Sequence, residues 1–553
     1  MKRRNFLKII PPATITPFMV NGHSMTPFAH RGLAGLLSDC EDVEGRTLVL
    51  IQLKGGNDGL NMIIPVAQYD QYMALRPDIA VPESGSAGYI MLDTTLKNSK
   101  QVGLHPAMVE IKEMYDEGWV NIIQGVGYEQ PNQSHFKSTD LWMSGGDGTY
   151  ANNNIPSGWM GRSLQALFPD VLGAPTTLMP DPLGIQVGDA APSLGFHTET
   201  EHQNVINLSG QDVSGFYSLI STIGGAPPVN IPDFEHGEEI EYIMSVENSV
   251  NLYAQRISAV FNAGTNVGTY PNNTFANQLK TVARLIRGGS KTKIFLCQLG
   301  GFDTHDSQVG ATPFDGSYGP LMQTLSQAVK AFFDDLDAMG LAKQVLACTF
   351  SEFGRCAKQN GSTGTDHGTL APMLIFGKSI NAGVTGTNVN LSNLTSDNQL
   401  QGLQNDYRQV FSTLLQDWLG ANDYVMQETL FDGYMKLPLI ESQFVVGPGC
   451  YYGGSVIVNG VNDPNTQQRK LALFPNPARI SVEVSFAAQS DFKARLSLHS
   501  MTGNVIYSGK TPVQKGDNFF HLDVANTPAG TYFVRLENLE TGMAEVAKLQ
   551  VVK

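Results

Sequence analysis

The sequence predicts a doubly wound α/β domain with a mostly parallel sheet, followed by a small all-β sandwich. Three observations predict it. Between residues 45 and 440, short runs that are apolar on both faces alternate with amphipathic helical periods. Polar clusters stand directly after several of those runs. Beyond residue 470 the hydrophobic period changes from that of helices to the two-residue alternation of half-buried strands.

With 553 residues, 42% of them hydrophobic and 16% charged, the composition is that of a globular protein of more than one domain. A net charge of −15 leaves no basic stripe for a phosphate backbone, which excludes nucleic acid as a partner. The five cysteines (Cys40, Cys297, Cys348, Cys356 and Cys450) form no CxxC pair, so they read as small core residues or stray thiols and not as metal ligands.

In chain order, "MKRRNFLKIIPPATITPFMV" is an address and lies outside the fold. Arg3 and Arg4 ahead of "NFLK" resemble the twin-arginine export signal, which assigns residues 1–44 to a signal and N-terminal segment and implies the twin-arginine machinery as a partner. No later run reaches the roughly 18 apolar residues of a membrane helix, so the mature protein is expected to carry no transmembrane segment.

"TLVLIQL" (47–53), "VNIIQGVG" (120–127), "KIFLCQLG" (293–300), "QVLACTF" (344–350) and "PMLIFG" (372–377) are the predicted sheet strands. Phe275, Leu279, Val282 and Ile286 share one helical face, as do Leu321, Leu325, Ala328, Val329, Phe332 and Leu336. Strands alternating with helices give the doubly wound domain, in which ligands bind at the carboxyl ends of the strands.

The polar clusters follow that rule. "GGNDGLN" places Asn57 and Asp58 after the first strand, and "QSHF" places Ser134 and His135 shortly after the second. "GFDTHDSQ" places Asp303, His305 and Asp306 after the third, and "SEFGR" places Glu352 and Arg355 after the fourth. "GTDHG", with Asp366 and His367, immediately precedes the fifth. The Asp303 cluster is either a set of turn and cap residues or half of a metal site. Carboxylates crowded at one sheet edge repel unless a cation or proton offsets them. Oxygen and imidazole donors without thiolate suit one or two divalent ions, Zn, Mn, Mg or Ca. His105 in "GLHPAM" reads as a cap or supporting residue before a helix whose first turn accommodates Pro106; Trp159 and Arg162 read as part of a packed loop or a lid.

Residues 441–470, rich in Gly, Asn and Pro, read as a linker, and residues 471–553 as the sandwich, with Ile480, Val482, Val484 and Phe486 on one face. The tail's "LFPNPA", "AGTYFVRL" and terminal "KLQVVK" resemble the C-terminal sorting domain of type IX secretion. That resemblance implies the type IX machinery as a partner and a secreted or cell-surface location; a carbohydrate-binding or spacer sandwich is the alternative.

"LKGGNDGLN", "LHPAM", "QSHF", "GGFDTH", "SEFGR" and "DHG" ahead of "PMLIFG" together resemble the secreted family called domain of unknown function 1501, over nearly all of residues 45–440. That family in turn resembles the alkaline phosphatase and sulfatase superfamily, which implies a metal site at the strand ends and a hydroxyl nucleophile. Carried over, the resemblance implies Asp58, Asp303, His305, Glu352 and His367 as metal ligands, Ser134 as nucleophile and Arg355 as a binder of an anionic substrate oxygen. The chain departs from the superfamily pattern in three places. Only one residue separates Asp303 from His305, "SEF" replaces an Asp-His pair, and Ser134 is followed by His135, itself a candidate ligand or the base that activates Ser134. The expected function is an exported metal-dependent hydrolase of phosphate or sulfate esters. The alternative is a non-catalytic cell-surface or glycan-binding protein that retains the fold.

Overall fold

The computed structural model describes residues 18–20, 23–25, 43–149, 152–169, 171, 175–177, 179–188, 193–198, 205–208, 253–454, 471–474, 478–488, 490–500, 505–539 and 544–552. The twin-arginine motif at Arg3 and Arg4 and residues 455–470 of the expected linker lie outside them. The chain divides into two compact units, Met1–Gly454 and Ser455–Lys553.

The first unit is built on a nine-stranded sheet. Its main path comprises β1 (Thr47–Lys54), β2 (Val120–Gly127), β3 (Gly184–Val187), β4 (Val205–Leu208), β5 (Ile294–Gly300), β6 (Val345–Phe350), β7 (Ala371–Phe376) and β8 (Gly383–Thr385). The spatial order is β8-β2-β7-β6-β1-β5-β3-β4, and Asn405–Asp406 adds a short partner to β2. All five runs expected as strands are in it. Every pairing along the path is parallel except those of β7, which runs antiparallel to both β6 and β2.

Strand alternation divides the apolar side chains between two cores. Val49, Ile51, Phe295, Cys297, Val345, Ala347, Leu374 and Phe376 face one; Leu48, Leu50, Ile294, Leu296, Leu346, Cys348, Met373 and Ile375 face the other. The first face is covered by α1 (Val109–Asp116), α4 (Thr274–Arg287) and α5 (Tyr318–Ala338). The second is covered by α2 (His135–Ser144), α3 (Trp159–Leu167) and α6 (Tyr407–Thr413). Burial on both faces is why these strands read as continuous apolar runs. Asn273 starts α4 by accepting a hydrogen bond from the Ala276 amide at 2.8 Å, and Phe275, Leu279, Val282 and Ile286 of that helix are buried as their spacing predicts. No described helix is long and apolar enough to cross a membrane.

Two expectations change here. Residues 441–454, assigned by composition to the linker, pack on the first unit: the Val446 amide donates to Asp417 O, Tyr452 to Gly420 O, and Val446 is buried. Cys450 is disulfide-bonded and so is not a stray thiol; Cys297, Cys348 and Cys356 are free and buried.

The second unit is all β. Strands β9 (Ala472–Phe474), β10 (Ser481–Ala488) and β13 (Gly516–Asp523) form one antiparallel sheet. β11 (Phe492–Ser500), β12 (Val505–Val513), β14 (Gly530–Asn538) and β15 (Ala544–Val551) form another, in the order β12-β11-β14-β15. Val482, Val484 and Phe486 share its core with Leu496, Leu498, Val534 and Leu536. Ile480 does not; it precedes the strand and is 70% exposed.

Candidate metal centre

Five segments meet at one edge of the large sheet. β1, β2, β5 and β6 end there, and β7, running the other way, begins there, so the residues just before it join the residues just after the others. Asp303 and His305 lie in the loop after β5, and His135 opens α2 after the loop that leaves β2. His367 closes a short strand, Thr365–His367, paired antiparallel with Arg355–Gln359.

Three imidazoles converge on one carboxylate oxygen. Asp303 Oδ1 lies 3.3 Å from His305 Nε2, 3.5 Å from His135 Nε2 and 3.8 Å from His367 Nε2, while His305 Nε2 and His367 Nε2 are 2.8 Å apart. The ligand atoms of His135, Asp303 and His367 all lie within 4.8 Å of one another. Each ring is turned by its other nitrogen. His135 Nδ1 faces Glu352 Oε1 at 2.9 Å, His305 Nδ1 faces Asp366 Oδ1 at 3.1 Å, and His367 Nδ1 faces the carbonyl of Gln133 at 2.6 Å. A carbonyl or carboxylate oxygen only accepts, so in each neutral ring Nδ1 carries the proton and Nε2 presents a lone pair inward.

That arrangement fits a cation. Two lone pairs facing each other at 2.8 Å repel unless a proton or a metal ion lies between them. His135 Nε2 is buried and makes no hydrogen bond, which a metal bond would remedy. Imidazole rings steered through Nδ1 by carboxylates and a carbonyl are the usual second layer of metal-binding histidines. Three nitrogens and one oxygen suit Zn or Mn better than an all-oxygen cation such as Ca.

Burial pushes the Asp303 carboxyl up, but the hydrogen bond and charge of Arg355, with the charges of His135 and His305, outweigh it and hold the group below its ordinary value. The Glu352 hydrogen bond raises His135, whereas burial lowers His367. Phe353 forms an apolar wall to the site, its ring 4.8 Å from that of His135 and 4.6 Å from that of His367.

The residues expected to act together are thus separated by position. Asp303, His305, His367 and His135 converge, and His135 joins them as a ring nitrogen donor. Glu352 does not stand among them: buried, it accepts from the Gly55 amide at 2.9 Å and steers His135 from behind. Asp58 is fully buried, both its oxygens accept from Arg76 Nη1 at 2.8 and 2.6 Å, and it is not among the residues whose ligand atoms converge. Arg355 is also wholly buried, donating to Gly55 O, Gly56 O, Phe302 O and Thr365 O and to Asp303 Oδ1; its guanidinium fastens strand ends together. Ser134 is the exposed N-cap residue of α2, and its hydroxyl caps no helical N–H.

His105 is buried, its Nδ1 accepting from the Ala107 amide at 3.2 Å and its ring edge-on to Tyr318. Trp159 and Arg162 belong to α3, and Trp159 is in the core. The sequence reading gave no orienting role to Gln133 or Asp366. The signal for Asp366 was present in "TDH", where a two-residue period puts it on the opposite side from Thr365 and His367; Gln133 acts through its carbonyl, which no side chain advertises.

Residues 46–427 match the family model described as a protein of unknown function (DUF1501), and residues 472–551 match the secretion system C-terminal sorting domain. No curated protein matches the chain. Among solved structures it is similar to a protein in the alkaline phosphatase superfamily from Vibrio parahaemolyticus, at 8% identity over 91% of this chain and 82% of that one, with a TM-score of 0.29. It is similar to the PsFucS1 sulfatase from Pseudoalteromonas sp., at 10% identity over 87% and 84%, with a TM-score of 0.33. It also resembles PorZ, a bacterial surface component of the type-IX secretion system of Porphyromonas gingivalis, at 14% identity over 18% of this chain and only 13% of that one, with a TM-score of 0.12.

Proposed function

The chain belongs to the family described as protein of unknown function DUF1501, and from that premise we propose that it is an exported metal-dependent hydrolase of phosphate or sulfate esters. Its C-terminal sorting domain directs it to the cell surface or the surrounding medium by the type IX route. The observation that carries the hydrolase reading is the convergence of three imidazole Nε2 atoms on Asp303 Oδ1, each ring steered through Nδ1.

His135, Asp303, His305 and His367 would hold one divalent cation. A divalent cation bound there supplies Lewis acidity and activates water at neutral pH. The protein's own groups do the rest. Glu352, Asp366 and the Gln133 carbonyl keep the Nε2 lone pairs turned inward, Arg355 pins Asp303, and Phe353 excludes water from one side. His135 is a ligand in this scheme and is not the base for Ser134. Ser134 is exposed one residue away and is retained as the candidate nucleophile.

One observation favours a second reading, a surface protein that binds glycan and keeps the cation for structure. Asp58, expected as a metal ligand, and Arg355, expected to bind an anionic substrate oxygen, are both engaged in internal hydrogen bonds.

The deciding experiment is elemental analysis of the purified full chain beside Asp303→Asn and His135→Ala, with turnover of phosphate and sulfate esters assayed on each. Metal in the wild type, lost together with turnover in both variants, is the expected result. Metal without turnover of any ester selects the binding reading, and a folded wild type that takes up no divalent ion overturns both.

A further inference from the structure

Beneath the converging groups, one amide ties the two ligand-bearing segments together. Gln308 is wholly buried. Its Oε1 accepts from Thr304 Oγ1 at 2.9 Å and from Thr365 Oγ1 at 2.7 Å, and its Nε2 donates to Asp58 Oδ2. The carboxylate can only accept, so the amide nitrogen must face Asp58 and the amide oxygen must face the two hydroxyls, both of which donate. Thr304 stands between Asp303 and His305, and Thr365 stands two residues before His367.

The strut is itself anchored. Arg76 closes both oxygens of Asp58, and its Nε and Nη2 donate at 2.8 Å to the carbonyls of Ala357 and Cys356, in the strand that pairs with Thr365–His367. The main chain ties the same two segments through Thr365 N to Thr304 O at 3.1 Å and Gln308 N to Thr363 O at 3.0 Å. Those bonds set register along the segments, whereas Gln308 Oε1 sets how far apart their inner side chains stand.

We propose that Gln308 is a positioning residue for the candidate metal centre, holding the Asp303–His305 loop and the Thr365–His367 strand at the separation where their ligand atoms meet. It takes its own position from the buried Asp58–Arg76 pair. The inference rests on the cation reading of the His and Asp cluster. Without the hydroxyls, a buried amide oxygen is left without donors, and the two segments relieve it by moving, which opens the 2.8 Å approach of His305 and His367.

The test uses the full chain and three variants: Thr304→Val with Thr365→Val, Thr304→Ser with Thr365→Ser, and Gln308→Glu, which keeps an acceptor for both hydroxyls but sets a second carboxylate against Asp58. Zinc affinity is measured by competition with a chromophoric chelator, ligand geometry by the visible absorption of the Co(II)-loaded protein, and integrity by the melting temperature of the metal-free form. The valine pair and Gln308→Glu should lose about 10–100-fold in zinc affinity and shift the cobalt bands. The serine pair should keep both. Wild-type affinity and spectrum in a folded valine pair overturn the proposal, as does an equal loss in the serine pair; if the valine pair does not fold, Gln308→Glu decides by the same readings. A wild-type chain that binds neither Zn(II) nor Co(II) overturns the cation reading itself, and the proposal with it.

Discussion

At the scale of single residues, the chain spends its strongest polar groups beneath the site. Asp58 and Arg76 are both fully buried and fully paired, and removing one partner of such a pair leaves an uncompensated charge. Asp58→Ala should therefore lower the free energy of unfolding by about 3–5 kcal/mol, read from a denaturant titration of the metal-free protein. A loss within experimental error of zero would mean that Arg76 reaches solvent in the folded state. His105 offers a second reading at this scale. Burial pushes its imidazole down to about 4, whereas an unfolded histidine titrates near 6.5. Below about pH 6.5 the unfolded chain binds the proton that the folded chain refuses, so stability present at neutral pH is lost as pH falls from 6.5 toward 4. By pH 5 the loss from this one group is about 2 kcal/mol. His105→Asn should flatten the difference in unfolding free energy between pH 7 and pH 5 relative to wild type.

At the scale of elements, the glycines after β1 decide whether the strand ends can meet. Gly55 has φ +126°, and a Cβ there would stand 2.3 Å from the Asp303 amide nitrogen. At Gly56, with φ +83°, a Cβ would fall 2.4 Å from the Phe353 ring. Both the backbone conformation and the space are open to glycine alone. The same Gly55 amide donates to Glu352, which steers His135. Gly55→Ala should consequently displace Asp303 and Glu352 together, lowering divalent-ion affinity by at least the roughly 10–100-fold typical of a lost supporting contact, as calorimetric titration would show. Unchanged affinity in the alanine variant would show that the loop after β5 moves independently of β1. β7 contributes in another way: because it alone is antiparallel, it delivers His367 to the edge where its parallel neighbours end.

At the scale of the whole molecule, the two units should respond to metal separately. The candidate ligand residues all belong to Met1–Gly454, and Ser455–Lys553 has its own apolar core. A cation that binds only the folded first unit stabilises it by about 2.7 kcal/mol when present at a hundredfold excess over its dissociation constant. Calorimetry of the full chain should show one transition that rises with Zn(II) and falls with a chelator, and another that does not move. The metal-dependent shift should vanish in Asp303→Asn.

Much of this was written in the chain itself. Two-sided apolar runs declare buried parallel strands, helical spacing declares the covering helices, and alternation after residue 470 declares the sandwich, because burial acts on each element through its own period. Asp303 and His305 were legible as residues at the carboxyl end of a strand, whereas His367, which precedes β7, joins them only because that strand runs antiparallel. Which polar groups face the candidate site and which lie behind it was decided only by tertiary structure. Asp58 and Arg76 are 18 residues apart, Glu352 and His135 are 217 apart, and Gln308 and Asp58 are 250 apart. A carboxylate at a strand end looks the same in sequence whether it is open or already closed by a guanidinium, since its partner is chosen by packing and not by its neighbours in the chain.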